Sequence, residues 1–254
     1  MKLYDSLVLL AAGTLGGIFS TVVAIASLVT YPVLLALGVP PLSANMTNTV
    51  SLVLTGAGSV AGSKPELTGQ LDLVLRLAVI TALGGLTGAV VLLLAPASTF
   101  TAVAPVLIGV ASLVLLIQPK ITVLAPRPES GGTGWQPLAH VAGLFAVAVY
   151  VGYFGAAAGV MLLVVLTAMI AEPLVRVNAI KNAVSGAANC MAAICFAIFG
   201  SVRWLFVGPL AAGFLLGGWL GPKIARRVPA PTLRIIVSLC GIGLAARLGI
   251  IAYR

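Results

Sequence analysis

Charge is scarce in this chain. Asp, Glu, Lys and Arg make up 7% of its 254 residues, against roughly 25% in soluble domains. A surface built to face water is therefore excluded. Acids are scarcer still. The 5 present are Asp5, Glu66, Asp72, Glu129 and Glu172, none clearly in the middle of an apolar run. A divalent-cation transporter needs several oxygen-rich acidic ligands, so that class is excluded too. The single histidine, His140, lies close to a polar stretch and is expected at the membrane interface. There is no HExxH pair, no phosphate-binding glycine loop ending in Lys-Ser/Thr and no Ser-His-Asp set. No enzyme chemistry, metal site or cofactor is expected from so few acid–base groups. The 3 cysteines, Cys190, Cys195 and Cys240, lie in apolar runs without a CxxC spacing. They read as buried small hydrophobes, neither a disulfide framework nor a metal site.

What the chain has in abundance is apolar sequence, 61% of residues. A spanning helix needs about 20 apolar residues, so the chain reads as an all-α polytopic membrane protein with at most about ten passes. The net charge of +9 reads as Lys and Arg anchoring helix ends on the cytoplasmic side, not as a nucleic-acid surface. The apolar stretch that starts near Met1 continues to Leu37 without a cleavage boundary and reads as a retained first segment.

The longest polar stretch contains Pro119, Pro126, Pro128, Glu129 and the Gly131-Gly132 pair. It divides the chain into a first membrane repeat, 1–118, a linker, 119–136, and a second repeat, 137–254. Each half opens with an apolar run of about 35 residues interrupted by glycines and leading to a proline, Pro32 or Pro173. The interrupting glycines are Gly13, Gly16 and Gly17 in one half and Gly152, Gly155 and Gly159 in the other. A related polar pattern follows, with Thr47-Asn48-Thr49-Val50-Ser51 matching Lys181-Asn182-Ala183-Val184-Ser185. Several matches in the same order point to an internal duplication.

A helix of about 35 residues would be roughly 52 Å long, whereas the hydrocarbon core is about 30 Å thick. Each opening run is therefore a steeply tilted helix or two helices meeting at a break, which gives four or five passes per half. Five passes put 10 of the 14 Lys and Arg on one side, against Lys2, Arg203, Arg247 and Arg254 on the other; four passes split them 6 to 8. The positive-inside rule favours five, and an odd number makes the repeats inverted. Gly58 and Gly62, Gly84 and Gly88, and Gly213, Gly217 and Gly221 stand four apart, the spacing of close helix packing in lipid. The clusters that interrupt the two opening runs are expected to break helices there, as hinges lining a cavity.

Polar groups inside a span need a reason. Asn48, Ser51, Thr55 and Ser59 step by three and four, and Asn182, Ser185 and Asn189 repeat the spacing, so each set shares a helix face. Ser43 suits the N-cap of the first of these helices, with Asn45 in its first turn and Asn178 in a similar place in the second half. Amides, hydroxyls and helix N-termini suit a small anion. Lys181 would add a full charge or, equally, anchor a helix end; Thr47 holds the matching place. The alternative for the stripes is interhelical glue. Glu172 is the candidate for proton coupling, but pairing with Arg176 at a helix end is the favoured reading.

These residues together resemble the TauE/SafE sulfite exporter family. The resemblance rests on Gly13-x-x-Gly16-Gly17, Tyr31-Pro32-x-Leu34-Leu35-x-x-Gly38-Val39-Pro40-Pro41, Ala44 and Thr47-Asn48-Thr49. It continues through Gly152-x-x-Gly155, Pro173, Lys181-Asn182-Ala183 and Gly217-Gly218-x-x-Gly221. One departure is that the family often shows a denser glycine run where this chain has residues 18–24. The resemblance implies export of a small sulfur-containing or organic anion, sulfite or an organosulfonate such as sulfoacetate, across a bacterial inner membrane. Expected partners are that anion and the lipid bilayer, with homo-oligomerisation left open. An anion channel and a non-transporting structural subunit are the alternatives.

Overall fold

The computed structural model describes residues 3–124 and 138–225, together with 239, 242, 243, 245, 246, 249 and 250. Ten helices are described: α1 (Leu3–Val23), α2 (Ala26–Ala36), α3 (Pro41–Gly62), α4 (Lys64–Leu67), α5 (Leu71–Leu94), α6 (Ala97–Leu124), α7 (Leu138–Tyr153), α8 (Ala158–Met169), α9 (Leu174–Phe199) and α10 (Trp204–Ala225). Among the described residues there is no strand. Five of these helices are long and apolar enough to cross a membrane: α1, α5, α6, α9 and α10. At 22 residues α3 has the same length; its asparagines, serines and threonines lower its hydropathy below theirs. Large apolar side chains cover the outside, among them Leu94 at 80% and Phe199 at 74% exposure. In water that surface would be a liability; in hydrocarbon it is the solvated face.

Both opening runs are broken into two helices. In the first half the break falls at Ala24, in the left-handed region at φ 64°, and not at Gly13, Gly16 and Gly17, which lie inside α1. The expectation is corrected by what those glycines touch. A Cβ on Gly17 would lie 2.9 Å from the Gly217 Cα, and one on Gly13 would meet the Leu210 carbonyl oxygen. They are packing glycines that let α10 approach. The second break lies between Tyr153 and Ala158, with Gly155 at φ 73° and Ala157 at φ 52°. Here one glycine of the expected cluster does take the unusual conformation. Ala24 and Ala157 are 133 residues apart, as are the prolines Pro40 and Pro173 that cap α3 and α9.

The short second members, α2 of 11 residues and α8 of 12, reach about 17–18 Å, roughly half the hydrocarbon core. α2 doubles back on α1, since a Cβ on Gly16 would meet Thr30 Cγ2 at 2.7 Å. α6 runs on to Leu124, into the segment expected as a linker; 125–136 lie outside the described residues.

The packing crosses between the halves. α1 packs on α10 and α10 on α3, while α7 packs on α5 and α5 on α9. The opening helix of each half thus leans on a late helix of the other. Two groups result, α1/α3/α10 and α5/α7/α9, joined mainly where α3 crosses α9. Glycine makes each contact close. Gly58 and Gly62 receive α10 at Leu215 and Trp219, Gly84 and Gly88 receive α7 at Phe145 and Val149, and Gly213 and Gly217 receive α1 at Leu10 and Thr14. Lipid gives helices no hydrophobic reason to associate, so backbone proximity of this kind supplies the contact energy. An aromatic cluster ties the breaks together, with Tyr31 edge-on to Phe154 at 5.8 Å and Phe100 5.8 Å from Phe154.

Candidate functional site

α3 and α9 cross at Gly56 and Gly186, where a Cβ on Gly56 would lie 2.9 Å from the Gly186 Cα. The two helices run antiparallel. Ser201, just past the end of α9, bonds Ser43 near the start of α3 through their hydroxyls at 3.1 Å. Both breaks meet this crossing, and their small residues leave a cavity of about 50 Å³. It is lined by Ser20, Ala24, Ala26 and Ser27 from the first break, and by Phe154, Gly155, Ala158 and Gly159 from the second. α3 contributes Thr49, Thr55 and Ser59, and α9 contributes Lys181, Asn182, Ser185 and Asn189. A water needs about 10–15 Å³ of such space, so the room is that of a few waters or one small oxyanion.

Five expected residues, Thr55, Lys181, Asn182, Ser185 and Asn189, line this cavity. Lys181 is 2% exposed and is the only charged residue in the lining among the described residues. Its Nζ donates to the Ser20 carbonyl at 3.4 Å, and it forms no ion pair among the described residues. The Asn182 Nδ2 and the Thr55 Oγ1 are buried without a hydrogen-bond partner among the described residues. An unpaired buried polar group costs about 1–3 kcal/mol.

The other four expected residues are used elsewhere. Asn48 donates to Ser27 Oγ at 3.1 Å and accepts from Thr30 Oγ1, fixing α2 on α3. Ser51 donates back to the Thr47 carbonyl at 2.8 Å. Asn45 donates to the Tyr153 carbonyl and Asn178 to the Thr21 carbonyl, each at 3.0 Å. Ser43 is not the N-cap of α3; Pro40 is, because Pro41 suits the first helical position and starts the helix three residues earlier. Counted from the two capping prolines, Lys181 matches Asn48 and not Thr47, both standing eight residues on. Glu172 accepts from Gln70 Nε2 at 2.8 Å and pairs with Arg176 at 3.2 Å, outside the cavity. Cys195 is buried and Cys190 half-buried, both free; Cys240 lies outside the described residues.

Ser59, the last residue of the first polar stripe, also lines the cavity, and Ser20, Ser27 and Thr49 join it from outside the stripes. Ser20 and Ser27 flank the first break, and hydroxyls on either side of a glycine-free segment were its available signal. The helix ends are corrected as well. The N-termini that face the cavity are those of α2, through Ala26 and Ser27, and α8, through Ala158 and Gly159, and not those of the stripe-bearing α3 and α9. A helix N-terminus carries roughly half a positive charge and unbonded N–H groups. Two of them and one ammonium, with no carboxylate in the lining among the described residues, make the cavity electropositive.

Residues 9–248 match the family model described as Sulfite exporter TauE/SafE. The chain belongs to the TauE/SafE family. Similar curated proteins are "Probable membrane transporter protein YfcA" of Escherichia coli strain K12 and its namesakes from strains O6:H1 and O157:H7. Each is 23% identical over 245 residues, covering 95% of this chain and 88% of the relative. No solved structure matches significantly. This TauE/SafE chain is thus a membrane transporter, multi-pass, of the bacterial inner membrane.

Proposed function

We propose that this transporter exports a small sulfur-containing or organic anion, such as sulfite or an organosulfonate like sulfoacetate, by alternating access. The observation that carries the reading is the composition of the cavity lining: Lys181, the N-termini of α2 and α8, free donors on Asn182 and Thr55, and no acid among the described residues. Such a site favours a group with negative charge and several acceptor oxygens. Ser185 and Asn189 supply further hydrogen bonds. The bodies that rock are the mixed groups α1/α3/α10 and α5/α7/α9, since each holds helices from both halves. Gly155 is the hinge on one side and Ala24 on the other; Gly152 lies inside α7 packed on Gly85, and Gly159 lies in the first turn of α8 against Ala24. An inverted duplication accounts for the exchange of partners between halves. An inside-negative potential contributes about 2.3 kcal/mol per charge per 100 mV and drives a monoanion outward without a proton carrier in the cavity.

The test is flux into proteoliposomes for a panel of sulfite, sulfoacetate, other sulfonates and small carboxylates, with and without an imposed potential or pH gradient. Saturable flux that follows the potential is expected. Non-saturating flux would make the protein an anion channel, and no flux from folded protein would move it to a structural subunit.

A further inference from the structure

The structure assigns Asn45 and Asn178 as the two gate latches of the transporter, one at each end of the α3/α9 crossing. This rests on the alternating-access reading above. In a continuous helix the Thr21 carbonyl would accept from the Ile25 N–H. The turn at Ala24 sends that N–H to the Phe19 carbonyl instead, which leaves Thr21 as an orphan acceptor at the end of α1. Asn178 of α9 reaches across and fills it. At the second break, the Phe154 and Gly155 N–H groups both turn to the Tyr150 carbonyl, and the Tyr153 carbonyl is filled by Asn45 of α3.

Both bonds run between the two groups of helices. Asn45 belongs to α1/α3/α10 and bonds α7; Asn178 belongs to α5/α7/α9 and bonds α1. Each asparagine stands five residues after its capping proline. Asn45 is about 16 Å from Gly56 along α3, and Asn178 about 12 Å from Gly186 along α9. Because α3 and α9 are antiparallel, the latches flank the glycine crossing on opposite sides. A crossing without side chains is a pivot, and rocking about it strains one latch while relieving the other. Lys181 lies three residues beyond Asn178 and holds Ser20, next to Thr21. An anion that draws the ammonium off Ser20 loosens the Asn178 end first, so occupancy of the cavity selects which gate opens.

The test uses the full chain with Cys190, Cys195 and Cys240 replaced by serine, and one reporter cysteine. Thr49→Cys reports from Asn45's side of the crossing and Ser59→Cys from Asn178's side. Labelling by a membrane-impermeant maleimide is read in vesicles of both orientations. Asn45→Ala is expected to raise labelling of Thr49→Cys roughly three- to tenfold and to lower that of Ser59→Cys. Asn178→Ala is expected to do the reverse. The double variant should return the ratio of the two close to that of the parent, which general loosening would not do. Single variants that move both reporters together, or neither, would overturn the assignment. Reciprocal labelling in a protein that carries no anion would keep the latches and overturn the exporter reading. Saturable flux without reciprocity would do the opposite.

Discussion

Replacing Lys181 with methionine removes the cavity's only charge at nearly constant length and volume. Two consequences follow, of opposite sign. Lys181 is 2% exposed, and among the described residues its ammonium has one neutral partner, the Ser20 carbonyl at 3.4 Å. A buried cation without a counter-ion costs several kcal/mol of desolvation, more than a hydrogen bond of that length returns. The variant is therefore expected to be as stable as the parent or more so, with Tm unchanged or raised by a few degrees. Binding goes the other way. A hydrogen bond to a charged group is worth about 1.5–3 kcal/mol, so KM for the transported anion should rise about ten- to hundredfold. The assay is initial-rate flux in proteoliposomes, with Tm measured on the same preparation. Flux with an unchanged KM would refute the role of Lys181 as the charge that meets the anion. A Tm lowered by more than about 5 °C would show instead that the contact with Ser20 holds α1 in place.

Valine at Gly56 should force α3 and α9 apart, because even a Cβ there lies 2.9 Å from the Gly186 Cα; loss of a monodisperse peak in size-exclusion chromatography is the expected result, whereas Gly143→Val, with nothing within 4 Å, should be tolerated. Ala24→Gly should stabilise the protein by about 1 kcal/mol, since a left-handed alanine carries roughly that penalty relative to glycine, and a thermal melt reads it as a rise of about 2–4 °C. Glu172→Gln should leave potential-driven flux unchanged, because Glu172 is held by Gln70 and Arg176 outside the cavity; loss of a pH-gradient response in that variant would make Glu172 a proton carrier after all.

The sequence made the membrane class legible, because so little charge leaves no other solvent. It also made the packing glycines legible, since a spacing of four on an apolar helix has few other uses. Asn182, Ser185 and Asn189, spaced by three and four along the chain, line one cavity together with Lys181. The first helix break was misplaced, for a physical reason. Glycine serves both close packing and left-handed turns, and in α1 it serves the first while Ala24 takes the second. The exchange of partners between halves left no mark on the chain, since α10 and α5 present the same small residues whichever helix they receive. Asn45 and Asn178 carry the chemistry of a binding site, and only the position of the orphan carbonyls at Tyr153 and Thr21 distinguishes a tie from a ligand.

The proposed transport requires a small anion to bind at Lys181 in the cavity between the two broken helices. Isothermal titration of sulfite and sulfoacetate into purified protein tests it most directly, with Lys181→Met and Glu172→Gln alongside. Saturable one-to-one binding of one of these anions, lost in Lys181→Met and kept in Glu172→Gln, is the predicted result. Binding that survives in Lys181→Met would show that the anion is held elsewhere.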